Sequence, residues 1–283
     1  MSGHITTLVI FDYSGTLSLG AIRFGTPEYL MNRLTETGLE HCGVTGTDIF
    51  WHDIVNPTWH EGSTTSIGYT HLMVRQLMEI SKKAAIAVSG AEIHKAACRF
   101  VESYFAHSFI DRQWLWLLGK LVKEPSVLIL IATDHYAEAT DAIIRSLQGL
   151  GVAGVSLKDD PTGVHTGTVK IANSADMGFH KNDRRFWTAV QSRVPYQALN
   201  RIVYVDDFGY NESAESDYSV PGAVEKRMHA TISILKDVFS TEVVGIPFLI
   251  EKRNRPEFQK NTMPRRTISE IALKVWELCV PAR

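Results

Sequence analysis

The chain has 283 residues, of which 45% are hydrophobic and 21% charged. That balance belongs to a globular protein of one large or two ordinary domains, and it excludes a disordered, collagen-like or membrane-bundle chain. The formal charge of −2 gives neither a basic surface for nucleic acid nor an acidic tail for a basic partner. The longest apolar run, Val127 to Ala132, is far short of the roughly 20 residues that span a bilayer, so no membrane partner is expected. Met1 to Thr7 lacks the positive start and small-residue cleavage site of a signal peptide. The three cysteines, Cys42, Cys98 and Cys279, are odd in number and have no metal-like spacing. A reduced, cytoplasmic protein is the expectation.

In chain order, Leu8-Val9-Ile10-Phe11 comes first, a short run rich in β-branched and aromatic residues that predicts a buried parallel strand. From about 19 to 121 the pattern is helical, at Pro27 to Glu36, Thr70 to Ala87, Ala91 to Ala106 and Asp111 to Val122. Within it, the Gly/Thr/His-rich stretch His52 to Tyr69 reads as a loop. Strand patterns resume at Val127 to Ala132, Gly154 to Leu157, Thr166 to Ile171, Arg201 to Val205 and Val243 to Ile250. Helices are expected between and after them, at Tyr136 to Leu150, Asp183 to Arg193, Gly222 to Phe239 and Ile268 to Leu278. Strands alternating with helices predict an α/β sheet covered on both faces. The sheet domain takes residues 1–18 and 122–283. A helical domain, 19–121, is inserted and hinged near 18–20 and 122–126.

Ligands of an open parallel sheet bind beyond the carboxyl ends of its strands. The sequence puts Asp12 after the first strand, Thr133 after the second and Asp206-Asp207 after a later one. Carboxylates converging on one edge repel each other unless a divalent cation sits among them, and hard oxygen donors favour Mg²⁺.

Four segments carry a family likeness. They are Leu8-Val9-Ile10-Phe11-Asp12-Tyr13-Ser14-Gly15-Thr16, Val127 to Thr133, Lys181 ahead of a helix, and Ile202-Val203-Tyr204-Val205-Asp206-Asp207. In this order and in these strand contexts they resemble the motifs of the haloacid dehalogenase superfamily of hydrolases. The resemblance implies a three-layer, Rossmann-like parallel sheet with a helical cap. It implies that Asp12 is a nucleophile and that Mg²⁺ is held by Asp12, the backbone carbonyl of Ser14, Asp206 and Asp207. Thr133 would bind a phosphate oxygen, and Lys181, with Lys170 as a competitor, would neutralise the nucleophile. Gly15 and Thr16 would bring backbone close to the anion. The cap loop offers His52, Asp53, Trp59, His60 and Glu61 as substrate contacts, and His135 follows Thr133. Asn211 and Glu212 are candidates for a water-mediated metal contact or a helix cap.

One position departs from the family pattern. Its phosphatases carry an acid/base Asp two residues after the nucleophile, where this chain has Ser14. A hydroxyl is a poor general acid, and the missing group is worth about 10²–10⁴-fold in rate. The expected function is Mg²⁺-dependent hydrolysis of a small, anionic, phosphorylated metabolite by a monomer or homodimer. The alternatives are cleavage of a carbon–phosphorus, carbon–halogen or other bond, or a weakly active ligand-binding or regulatory role.

Overall fold

The computed structural model describes residues 5–160, 167–195, 199–211, 221–250 and 265–280. Six strands, β1 (Thr7–Phe11), β2 (Val127–Thr133), β3 (Gly154–Ser156), β4 (Val169–Asn173), β5 (Arg201–Asp206) and β6 (Glu242–Pro247), form one sheet. Its order is β3-β4-β2-β1-β5-β6, and every pairing is parallel. β1, β2 and β4 are buried along their whole length, which is why β1 and β2 read as apolar runs, whereas β4 carries the buried polar residues Lys170 and Asn173.

Each strand sends alternate side chains to opposite faces. Val9, Phe11, Ile129, Ile131, Val203 and Val205 pack with Leu117, Ile143, Leu147, Ile268 and Val275 on one face. Leu8, Ile10, Leu128, Leu130, Ile202 and Tyr204 pack with Phe186, Trp187, Val190 and Leu235 on the other. The sheet is thus the middle of three layers, as expected. The strand order reverses beside β1, so the crevice beyond its carboxyl end is the natural ligand site.

A third apolar cluster lies off the sheet. It draws Phe24, Leu30, Leu34, Leu72, Leu77, Phe100 and Val101 from the helices Leu19–Phe24, Pro27–Thr37, Tyr69–Lys83 and Gly90–His107. Two sequence expectations change here. Ile110, Trp114, Leu117, Leu118 and Leu121 belong to a sheet-face cluster and not to this one, because the helix Leu115–Leu121 covers the sheet with its apolar side. The chain passes between the two units at 17–20 and 107–111, not at 122–126. There the Asp111 N–H donates to the Leu17 carbonyl (2.9 Å), and the Leu19 N–H donates to the Asp111 carboxylate (3.0 Å).

The stretch 52–69 is also not a loop. A π-helical turn, Phe50–Val55, runs into the helix Asn56–Thr64. Pro57 sits in its first turn, where a missing N–H costs nothing. The hydroxyls of Thr58, Ser63, Thr64 and Thr65 each donate to the carbonyl four residues back. These polar side chains therefore bond along the helix, although their composition resembles that of a turn.

Candidate active site

The carboxyl ends of β1, β2 and β5 bring Asp12, Thr133, Asp206 and Asp207 together, all buried. Lys181 enters from the segment before the helix Arg184–Gln191. Its Nζ donates to Asp12 Oδ1 at 2.6 Å and to Asp206 Oδ2 at 2.8 Å. The Lys181 backbone is itself pinned. Its N–H donates to Asp134 Oδ1 (2.9 Å), and its carbonyl accepts from Trp187 Nε1 (2.6 Å). Lys170 is excluded from this role, because it is buried and paired with Asp160.

The acidic pair is held by backbone donors. Asp206 accepts from the Phe208 N–H (2.5 Å) and from the Tyr204 hydroxyl. Asp207 accepts from the N–H groups of Gly209 (3.1 Å) and Asn211 (2.8 Å). Phe208 adopts φ 52° to make this turn, a conformation that a bulky side chain rarely takes. Gly15 and Thr16 position Asp207. The Thr16 hydroxyl accepts from the Asp207 N–H (3.0 Å). Gly15 has φ +79°, and a Cβ there would lie 2.6 Å from Asp207 Oδ2, so only glycine fits. Neither residue lines the cavity described below. Their expected contact with substrate becomes the positioning of Asp207.

Asn211 ties the site to the end of the sheet. Its Nδ2 donates to the carbonyls of Gly15 (2.9 Å) and Phe248 (2.8 Å), and its Oδ1 accepts from Ile250 N (2.9 Å). It is a clasp between loops. Glu212 lies outside the described residues.

Carboxylate oxygens of Asp12, Asp206 and Asp207 lie within 4.8 Å of one another. Three buried carboxylates face one ammonium, and the imbalance is felt at Asp12. Burial, reinforced by the charge of Asp206 and opposed by Lys181, pushes its pKa up to about 8. An all-oxygen, net-negative cluster suits a hard divalent cation such as Mg²⁺, which would restore the ionised form of Asp12.

A cavity of about 280 Å³ opens over these groups. Asp12, Ser14, Thr133, Asp134, His135, Lys181, Asp206 and Asp207 form its floor, and the off-sheet helices form its roof. His135 is fixed as a neutral imidazole. Its Nδ1 accepts from the Tyr136 N–H (2.8 Å), its Nε2 lies 2.9 Å from the Tyr104 hydroxyl, and burial lowers its pKa to about 4. This pattern leaves the proton on Nε2, which donates to Tyr104.

His52, His60 and Glu61 do not line the cavity. His52 and His60 are exposed, and Glu61 pairs with Arg75 through two hydrogen bonds on the outer surface. The helix that replaces the expected loop leaves His52, Asp53 and Glu61 outside the cavity and packs His60 against His180, with ring centroids 5.4 Å apart, while Trp59 lines the cavity. Sequence reasoning misses Asp134, although it directly follows Thr133 at a strand end. It also misses the roof aromatics Phe50, Trp51, Phe100 and Tyr104. No local signal separates a helical aromatic that faces a cleft from one that faces a core.

No family model matches the chain, and no curated protein matches it. Among the solved structures similar to it are the following two. One is a 2-haloacid dehalogenase from Pseudomonas syringae pv. Tomato DC3000, 17% identical, with a TM-score of 0.47, covering 76% of this chain and 83% of that one. The other is the putative HAD-hydrolase YfnB from Bacillus subtilis bound to magnesium, 14% identical, with a TM-score of 0.41, covering 77% of this chain and 86% of that one.

Proposed function

We propose that the protein is a Mg²⁺-dependent hydrolase that transfers a phosphoryl group from a small phosphate ester to Asp12 and then to water. The off-sheet helical unit, about residues 24–107, is read as its cap. The observation that carries this reading is the Lys181 ammonium held against both Asp12 and Asp206, with Asp207 close enough to share a cation. A phosphate dianion would not approach this many carboxylates unaided. Asp12, Asp206 and Asp207 would hold the Mg²⁺, which when bound offsets the repulsion between nucleophile and phosphate.

Asp12 sits at a strand end, facing the cavity, with one oxygen already oriented by Lys181. Its carboxylate oxygen attacks phosphorus, the phosphorus–oxygen bond to the alcohol breaks, and the alcohol leaves with a proton taken from water. A second water attacks the same phosphorus, the bond to Asp12 breaks, and the carboxylate is restored. Thr133 and Lys181 stabilise the charge on the transferring group. Ser14 lines the cavity but offers no acid, so esters with good leaving groups react best. A 2-haloacid suits the site less well. Its carboxylate would need a cation, and Lys181, the sole lysine or arginine lining the cavity among the described residues, already contacts two carboxylates.

The test is a phosphate-release screen with Mg²⁺ and with excess chelator, on the wild type and on Asp12→Asn. Release that needs Mg²⁺ and is lost in Asp12→Asn supports the reading. Equal release in chelator, or turnover by Asp12→Asn within about tenfold of wild type, contradicts it.

A further inference from the structure

We infer that the organic group of the substrate is apolar and aromatic, so that the protein acts on aryl or arylalkyl phosphates and not on sugar phosphates. This rests on the hydrolase reading above and adds the substrate class to it. The charged residues of the cavity are confined to its floor: Asp12, Asp134, Lys181, Asp206 and Asp207. The roof carries none. It is built by seven aromatic side chains, Phe24, Phe50, Trp51, Trp59, Tyr69, Phe100 and Tyr104, together with aliphatic residues, and Asn56 is its only amide.

A sugar carries several hydroxyls that lose water on entry. Each needs a partner, and an unpaired buried hydroxyl opposes binding. The roof provides few partners, and the Tyr104 hydroxyl is already bonded to His135. An aromatic ring needs none of these partners and gains edge and face contacts with the aromatic walls. The size agrees. A dry cavity of about 150 Å³ holds benzene, and the 280 Å³ here leaves room for a ring and a phosphoryl group.

The charge pattern also separates two ends of the ligand. The anionic end is drawn to the floor, where Lys181 and a divalent cation would compensate it, and the apolar end fills the roof. The transferring phosphorus is thereby placed beside Asp12, with no contact needed to the organic group beyond its shape.

The experiment compares benzyl phosphate with glucose 6-phosphate, two esters of primary alcohols with similar leaving groups, on the wild-type protein with Mg²⁺. A second arm measures binding of benzyl alcohol, which has no phosphate, through the fluorescence of the tryptophans. Benzyl phosphate is expected to exceed glucose 6-phosphate in kcat/KM by about thirtyfold or more, since even one methylene in an apolar pocket is worth roughly tenfold. Benzyl alcohol is expected to bind saturably. Glucose 6-phosphate matching or exceeding benzyl phosphate overturns the inference. If neither ester is hydrolysed, the reaction reading fails and benzyl alcohol decides the substrate class: saturable binding supports it, and absence of binding overturns it.

Discussion

At the scale of the residue, the site is a set of side chains fixed mostly by backbone donors. Position 14 carries the sharpest consequence. Ser14 lies in the cavity wall two residues past Asp12, where a carboxyl group could protonate a departing alkoxide. Ser14→Asp should therefore raise turnover of benzyl phosphate, a poor leaving group, by about tenfold or more. It should change turnover of phenyl phosphate much less, because phenolate leaves without help. Steady-state rates on the two esters check this, and an equal effect on both would show that position 14 does not face the leaving group.

Much of this residue set is legible in the sequence. Asp12, Thr133, Asp206 and Asp207 each follow a run of apolar residues at a strand end, and chain topology alone converges them. Gly15 and Thr16 read as ligand contacts but instead hold Asp207. For Thr16 that distinction depends on a backbone N–H 191 positions away, which no local pattern reports.

At the scale of the element, β1, β2, β3 and β5 are legible to within a residue because parallel burial leaves an apolar run, while β4 and β6 each differ from the expected span by three residues at one end. The 52–69 stretch misleads because Ser and Thr hydroxyls that favour turns bond along a helix instead. The crossing between the two units is obscured for a related reason. The helix Leu115–Leu121 looks like its neighbours in sequence, and only packing assigns it to the sheet. Asp111 marks the true crossing, and burial raises its pKa to about 6 from an ordinary 3.8.

A carboxyl whose pKa is raised on folding contributes stability that is complete below about pH 4 and lost as pH rises through about 6. Asp111→Asn keeps an acceptor for the Leu19 N–H but has no charge to bury. The variant should match wild type near pH 4 and exceed it at pH 8 by on the order of 2 kcal/mol, since a pKa difference of one between folded and unfolded chains corresponds to about 1.4 kcal/mol. Urea unfolding of both proteins at the two pH values checks this. A constant difference across pH would assign the effect to packing.

At the scale of the whole molecule, the candidate site lies between the sheet, with an apolar cluster on each face, and the third, off-sheet cluster. This seam is fastened at several points. Tyr69 stacks on Tyr136 with centroids 4.0 Å apart. Glu138 accepts from the N–H groups of Tyr69 (2.9 Å) and Thr70 (3.2 Å), capping the helix Tyr69–Lys83 from across the cleft. The Ser63 hydroxyl lies 2.6 Å from His180 Nε2. None of these pairings is readable from sequence, because each joins residues whose proximity is set only when the units meet.

Binding to the carboxylate floor should be visible as stability of the whole chain. Mg²⁺ at about a hundred times its Kd should stabilise the protein by about 2.7 kcal/mol, read as a rise in Tm. The rise should shrink sharply in Asp206→Asn, and an undiminished rise in that variant would place the cation elsewhere.

The central claim is that Asp12 becomes covalently phosphorylated. The direct measurement is mass spectrometry of the peptide containing residue 12 after the protein, with Mg²⁺ and phenyl phosphate, is quenched in acid during turnover. One added phosphoryl group on Asp12, absent from Asp12→Asn and from protein in chelator, is the predicted result. Phosphate released in turnover with Asp12 unmodified, or a phosphoryl group on another residue, would contradict the account.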